Sequence, residues 1–139
     1  TQRSLPISSS WQYVIWNGRV FMAIGIAAAN NCVRSTDGSS WEAVPLPTTI
    51  SDPTTKTIGV YGKPCATSDG NIYVPVTSVA GPDQTTKYLG TKDDGTTWEE
   101  CAWATTFDRW IMIATDGTRI ATASYWGTGS GNNLLNYSL

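Results

Sequence analysis

Apolar residues in this chain come in short runs that break at glycine-containing turns, and none keeps up the 3.6-residue period of a capped helix. Three of these runs follow the same cue. Arg19–Ile24, Asn71–Val76 and Thr118–Ala123 come directly after Asn-Gly or Asp-Gly, with the glycines at 18, 70 and 117. Each glycine also closes a preceding stretch that begins at Trp11, Lys63 or Trp110. Asn-Gly and Asp-Gly tolerate the positive φ that a tight turn between twisted strands requires, so each cue predicts a strand, a two-residue turn and a strand. Ile24–Ala29 has the length of a short helix, but the hairpin before it makes it a continuing strand.

A second phrase occurs twice. Residues 35–41 read Ser-Thr-Asp-Gly-Ser-Ser-Trp, residues 91–98 read Thr-Lys-Asp-Asp-Gly-Thr-Thr-Trp, and Glu42 or Glu99 follows. Its hydroxyls and carboxylate can bond backbone N–H groups that a turn leaves unpaired. Trp41 and Trp98 then restart a strand and bring apolar surface to a core, roughly 1.5–3 kcal/mol each when buried. Asp37, Gly38, Trp41, Asp94, Gly95 and Trp98 are therefore the expected turn residues.

In order, the two elements make a unit. From Gly18 to Trp41 is 23 residues and from Gly70 to Trp98 is 28, with the extra residues assigned to the polar loop at 81–86. Gly18, Gly70 and Gly117 are 52 and 47 residues apart, a period that suits one four-stranded sheet per repeat. The expected organisation is an extended arm over 1–10 and a repeat domain over 11–139, with units near 11–57, 58–106 and 107–139. The third is unfinished: Asn136-Tyr137-Ser138 falls where the strand before its Asp-Gly-Trp turn belongs. The Thr-rich connection Thr48–Thr57, among four prolines, reads as an exposed loop.

The phrase at 91–98 fits the Asp-box pattern, Ser/Thr-x-Asp-x-Gly-x-Thr-Trp, and resembles the bacterial-neuraminidase-repeat β-propellers. The shorter phrase at 35–41, preceded by Asn17-Gly-Arg-Val-Phe-Met-Ala-Ile-Gly25, is similar to repeat proteins of tailed bacteriophages. The resemblance covers most of residues 11–139. It implies an all-β partial β-propeller of about 2.7 four-stranded antiparallel units, with the phrase residues structural and away from any catalytic face.

Abundant Ser, Thr, Trp and Tyr agree with an all-β chain. Closed propellers need about four or more blades, so three routes to completion stay open. A second or third copy closes a ring, Thr1–Ser10 completes the third unit, or the units stack as a sandwich. Unpaired edges are a liability, which favours a homo-oligomer or a larger host assembly. The start at Thr1 suggests a processed or trimmed form.

A net charge of −2 without a basic run argues against nucleic-acid binding, and no apolar run approaches a membrane span. Without histidine, Ser-His-Asp and Cys-His catalysis and the usual zinc sites are excluded. Cys32, Cys65 and Cys101 show no metal or redox spacing and read as buried thiols. Arg3, Arg19, Arg34, Arg109 and Arg119 stand in no sialidase-like motif. No catalytic residue, metal or cofactor is expected.

Trp11 and Trp110 occupy equivalent core positions, whereas Trp16, Trp103, Tyr125 and Trp126 fall outside the repeat. Of these, Trp103, Tyr125 and Trp126 are candidate stacking platforms for sugar rings. The favoured expectation is a non-enzymatic structural protein of a tailed-phage virion (decoration, fibre or tail-associated), partnered by itself or by other virion proteins. The alternative is a lectin-like module for a surface glycan. A sialidase-like hydrolase fragment ranks last.

Overall fold

The computed structural model describes residues 4–25, 32–52, 54–60, 62–78, 86–101, 111–124 and 135–138. The described residues contain thirteen strands and no helix, so the chain is all-β, with every strand pairing antiparallel. The first sheet is a meander of β1 (Trp11–Trp16), β2 (Phe21–Gly25), β3 (Cys32–Ser35) and β4 (Glu42–Ala43). The second runs from β5 (Thr49–Asp52) and β6 (Thr54–Val60) through β8 (Ile72–Ser78) and β9 (Thr86–Thr91) to β10 (Glu99–Glu100). The short β7 (Cys65–Ala66) also pairs with β8. The third joins β11 (Ile111–Thr115), β12 (Ile120–Ser124) and β13 (Leu135–Ser138).

The Thr-rich connection is not a loop. Thr49–Asp52 and Thr54–Val60 pair as a hairpin, and Ile58, Gly59 and Val60 continue onto Ser78, Thr77 and Val76 of β8. Thr and Ile suit a pleated ladder, and the open edge of β8 supplies the partner that local sequence cannot reveal. The second sheet thus takes in Thr49–Thr57, which the repeat spacing assigned to the first unit. β6 and β7 lie along the same edge of β8, with Pro64, which lacks an N–H for the ladder, just before β7.

Alternation assigns each face. In β1, Tyr13 and Ile15 pack on the core, while Val14 and Trp16 point outward, 69% and 48% exposed. Met22, Ile24 and Cys32 from the first sheet meet Val60, Ile72, Val74, Val76 and Leu89 from the second in one buried cluster. Val44 and Leu46, which follow the first sheet, and Ile50 of β5 complete it. The opposite face of the second sheet carries Tyr88, fully buried against Cys101, which follows β10, and Ile113 of the third sheet. The second sheet is therefore covered on both faces, which explains why β8 and β9 read as nearly continuous apolar or small residues.

The alternation of half-buried and exposed residues already runs from Ser4 into β1. Ser9 lies against Gly25, where any Cβ would come within 2.2 Å of the serine hydroxyl. The described part of the arm thus packs on the first sheet of its own chain.

Candidate functional site

Five glycines mark the turns, all with positive φ: Gly18 (92°), Gly38 (70°), Gly70 (85°), Gly95 (88°) and Gly117 (99°). The first-hairpin turn sits one residue later than expected. Asn17 N–H donates to Val20 O and Asp116 N–H to Arg119 O, both at 3.3 Å, so Asn17 and Asp116 close their turns rather than centring them. Their side chains then accept from the turn backbone. Asn17 Oδ1 takes the N–H of Arg19 (3.0 Å) and Val20 (2.8 Å), and Asp116 Oδ1 takes those of Thr118 (3.0 Å) and Arg119 (2.8 Å).

The two Asp-Gly-Trp turns share a local design. Asp37 Oδ1 accepts from Ser39 N–H (2.6 Å) and Ser40 N–H (2.8 Å), while Ser35 Oγ accepts from Gly38 N–H (2.9 Å). In the second turn Thr91 Oγ1 accepts from Gly95 N–H, and the carboxylate taking Thr97 N–H (2.8 Å) belongs to Asp93. The turn acid at 91–98 is therefore Asp93, two residues after the hydroxyl as Asp37 is after Ser35. Asp94 is the inserted residue, held at φ 58°. The matching hydroxyl-x-Asp spacing was the available signal for this assignment. Backbone N–H donors hold the carboxyls of Asp37, Asp93 and Asp116 down to about 2.

Asp94 faces the first sheet. Its Oδ1 accepts from Asn17 Nδ2 at 2.6 Å and Arg19 Nε at 3.0 Å. Asn17 Nδ2 also donates to Gly70 O at 2.8 Å, so this buried amide uses both donor and acceptor ends. Arg19 extends to Asp69 O (3.0 Å) and Gly70 O (3.1 Å). Arg34 pairs with Glu42 at 2.7 Å and donates to Asp94 O and Thr96 Oγ1, each at 2.9 Å. Partial burial opposes ionisation of Asp94, but hydrogen bonds and charge from Arg19, with Asn17 and Arg34, leave its carboxyl below the ordinary range. One step along, Ser68 N–H donates to Gly117 O at 2.5 Å. The turns form a row in which each sheet donates to the turn of the next. Sequence reading missed Asn17, Arg19 and Arg34 as the donors because nothing local marks them.

Trp98 packs half-buried against the main cluster, whereas Trp41 donates its indole N–H to Gly38 O at 3.3 Å, outside that cluster. Trp11 is half-buried at the start of β1. The sugar-stacking candidates Trp103, Tyr125 and Trp126, and the core candidate Trp110, lie outside the described residues.

A cavity of about 460 Å³ opens beside the second Asp-Gly-Trp turn, lined by Tyr73, Lys92, Asp93, Thr97, Glu99, Glu100 and Cys101 among others. Gly90 lets Tyr73 and Cys101 close over β9, since a Cβ there would lie 3.2 Å from each. The wall is mostly apolar, with Glu99, Glu100 and Lys92 at its edge and the Asp93 carboxylate already bonded to Thr97. Cys32, Cys65 and Cys101 are free thiols that burial pushes up to about 12, 11 and 12, so they are protonated and unreactive near neutrality.

No family model matches the sequence, and the searches of curated proteins and of solved structures give no match.

Proposed function

We propose that this chain is a non-enzymatic structural module, built of blade-like repeats of the propeller type, that works by assembly within a tailed-phage virion. The observation that carries the reading is the use made of the turn acids. Asp37, Asp93 and Asp116 are spent on the backbone N–H groups of their own turns and Asp94 on the neighbouring sheet, so the turn acids serve the fold and its packing. The outward Val14 and Trp16 add an apolar face suited to assembly. The phage assignment rests on the sequence grammar of Asn17–Trp41 and Thr91–Trp98. Mass spectrometry of particles purified from the source of this sequence tests it. Stoichiometric recovery with the particle supports the virion role, and absence from every particle fraction removes it.

A glycan-binding reading draws on the cavity between Tyr73 and Glu99, whose mostly apolar wall, edged by carboxylates, fits a sugar ring and its hydroxyls. A glycan array decides this one. Saturable binding weakened by Tyr73→Ala supports a lectin role, and a silent array rejects it.

A further inference from the structure

Asn17 and Asp116 close equivalent turns, but only one of them carries an amide. Asn17 Oδ1 accepts from the N–H groups of Arg19 and Val20, and Asp116 Oδ1 accepts from those of Thr118 and Arg119, two and three residues on in both cases. These bonds need only an oxygen, so the turn itself does not call for an amide. The other end of the side chain does. Asn17 Nδ2 donates to Gly70 O at 2.8 Å and to Asp94 Oδ1 at 2.6 Å, both in turns of the second sheet. Two donors face Oδ1 and two acceptors face Nδ2, so the group suits its place in one orientation only.

Asn17-Gly18 is also the one Asn-Gly step in the chain. A side-chain amide is lost most readily in that step, because glycine has no Cβ to hinder the backbone nitrogen that attacks it. In the reaction Gly18 N gives its proton to water or hydroxide and bonds to Asn17 Cγ. The Cγ–Nδ2 bond breaks, ammonia leaves, and a cyclic imide joins the two residues. Water then opens the ring at either carbonyl, giving aspartate or the isomer whose chain runs through Cβ. Water is the only co-reactant. Solvent reaches the step, since Gly18 is exposed and nothing lies within 4 Å of its Cβ position. Shielding therefore falls to the carboxamide. Asn17 is 6% exposed, and its four bonds hold Cγ against the rotation that would bring it onto Gly18 N.

We propose that Asn17 is a deamidation site gated by the joint between the first two sheets, and that loss of its amide opens this joint irreversibly. The new carboxylate keeps its turn bonds, as Asp116 does. Toward the second sheet it places an oxygen where Nδ2 now lies, 2.6 Å from Asp94 and 2.8 Å from Gly70 O. Arg19 still donates to Asp94 and to Gly70 O, and Arg34 to Asp94 O, so neither acceptor is orphaned. Like charge is what parts the sheets, because two carboxylates at that separation cannot both stay ionised and in contact. Asp69, the other acid beside Arg19, is turned to Thr67 and Asn71. The inference is independent of the virion role, which particle mass spectrometry reads.

Peptide mapping by mass spectrometry, after incubation of the full chain at mildly alkaline pH, tests the gate. Folded, Asn17 should convert at least about tenfold more slowly than in the same chain held unfolded in urea. Asp94→Ala removes one partner of the amide and should speed conversion in the folded chain about tenfold, with thermal melts to confirm folding. Trp41→Ala, which weakens the chain away from the joint, should leave the rate unchanged. Equal rates in folded and unfolded chain overturn the gate. So does a folded Asp94→Ala chain that converts no faster, or a Trp41→Ala chain that speeds up as much. Asn17→Asp reads the consequence and should melt below the native chain. Asn17→Asp/Asp94→Asn sets an amide opposite a carboxylate again and should recover part of that loss; if Asn17→Asp alone does not fold, folding of the exchanged pair is the recovery. An Asn17→Asp chain as stable as the native one overturns the opening of the joint, and so does an exchanged pair no better than Asn17→Asp.

Discussion

The turns at 35–41 and 91–98 begin from nearly the same phrase and do different work. The first is self-contained: Asp37 and Ser35 satisfy its own N–H groups, and Trp41 bonds back to Gly38. The second repeats that local scheme with Asp93 and Thr91, then adds one residue whose carboxylate reaches Asn17 and Arg19. The insertion stands at φ 58°, a conformation Asp accepts more readily than most residues. Leaving the capping bonds in place, it turns a local turn into a joint between sheets. A repeat can therefore keep its fold signature while a single extra position acquires an interface role.

The two tryptophans should separate the turns most widely. Trp98 packs on the main cluster and Trp41 does not, so Trp98→Ala should cost about 3 kcal/mol and Trp41→Ala about 1. Equal losses in denaturant melts would mean that both turns feed the core alike. The glycines come next. Gly38→Ala meets only the strain of a left-handed residue, about 1 kcal/mol, whereas Gly95→Ala adds a clash with Met22 and should cost about 2–3. Relief of that difference in a Met22→Ala background would trace it to the neighbouring sheet.

Asp94→Ala should cost about 1–2 kcal/mol, since it strips an acceptor from the buried Asn17 and from Arg19, and the Arg19 part is discounted for exposure. A double-mutant cycle with Asn17→Ala should show coupling, and additive losses would break the joint. Acid should move both turns together. The Asp37 and Asp93 carboxyls lie at about 2 in the fold, against about 4 in an unfolded chain. Their stabilisation is complete above about pH 4 and is lost as pH falls toward 2. In Asp37→Asn and Asp93→Asn chains that part of the acid sensitivity should shrink to a similar degree, as thermal melts between pH 2 and 5 would show.

Turns are the features most legible in this sequence, because their requirements are local. Positive φ at Gly18, Gly38, Gly70, Gly95 and Gly117, hydroxyls and acids within reach of their own backbone, and a last strand that reaches Ser138 all follow from short spacings. Spacing also held enough to choose Asp93, since the hydroxyl-x-Asp interval repeats in both phrases.

Thr49–Val60 is different: its residues allow a loop or a strand, and the unpaired edge of β8 decided for a hairpin. Asn17, Arg19 and Arg34 carry no local sign of their purpose, since their acceptors lie 50 or more residues away in sequence. Nor does alternation tell which face of a sheet will find a neighbour, because both faces of β1 are apolar and only packing buries Tyr13 while leaving Val14 open. The sequence by itself determined the turns, their repetition and the strands that flank them, because bonds between near neighbours set them. Tertiary structure alone decided which acid joins two sheets and which residues of β1 stay exposed, because those outcomes depend on groups that meet only after the sheets stack.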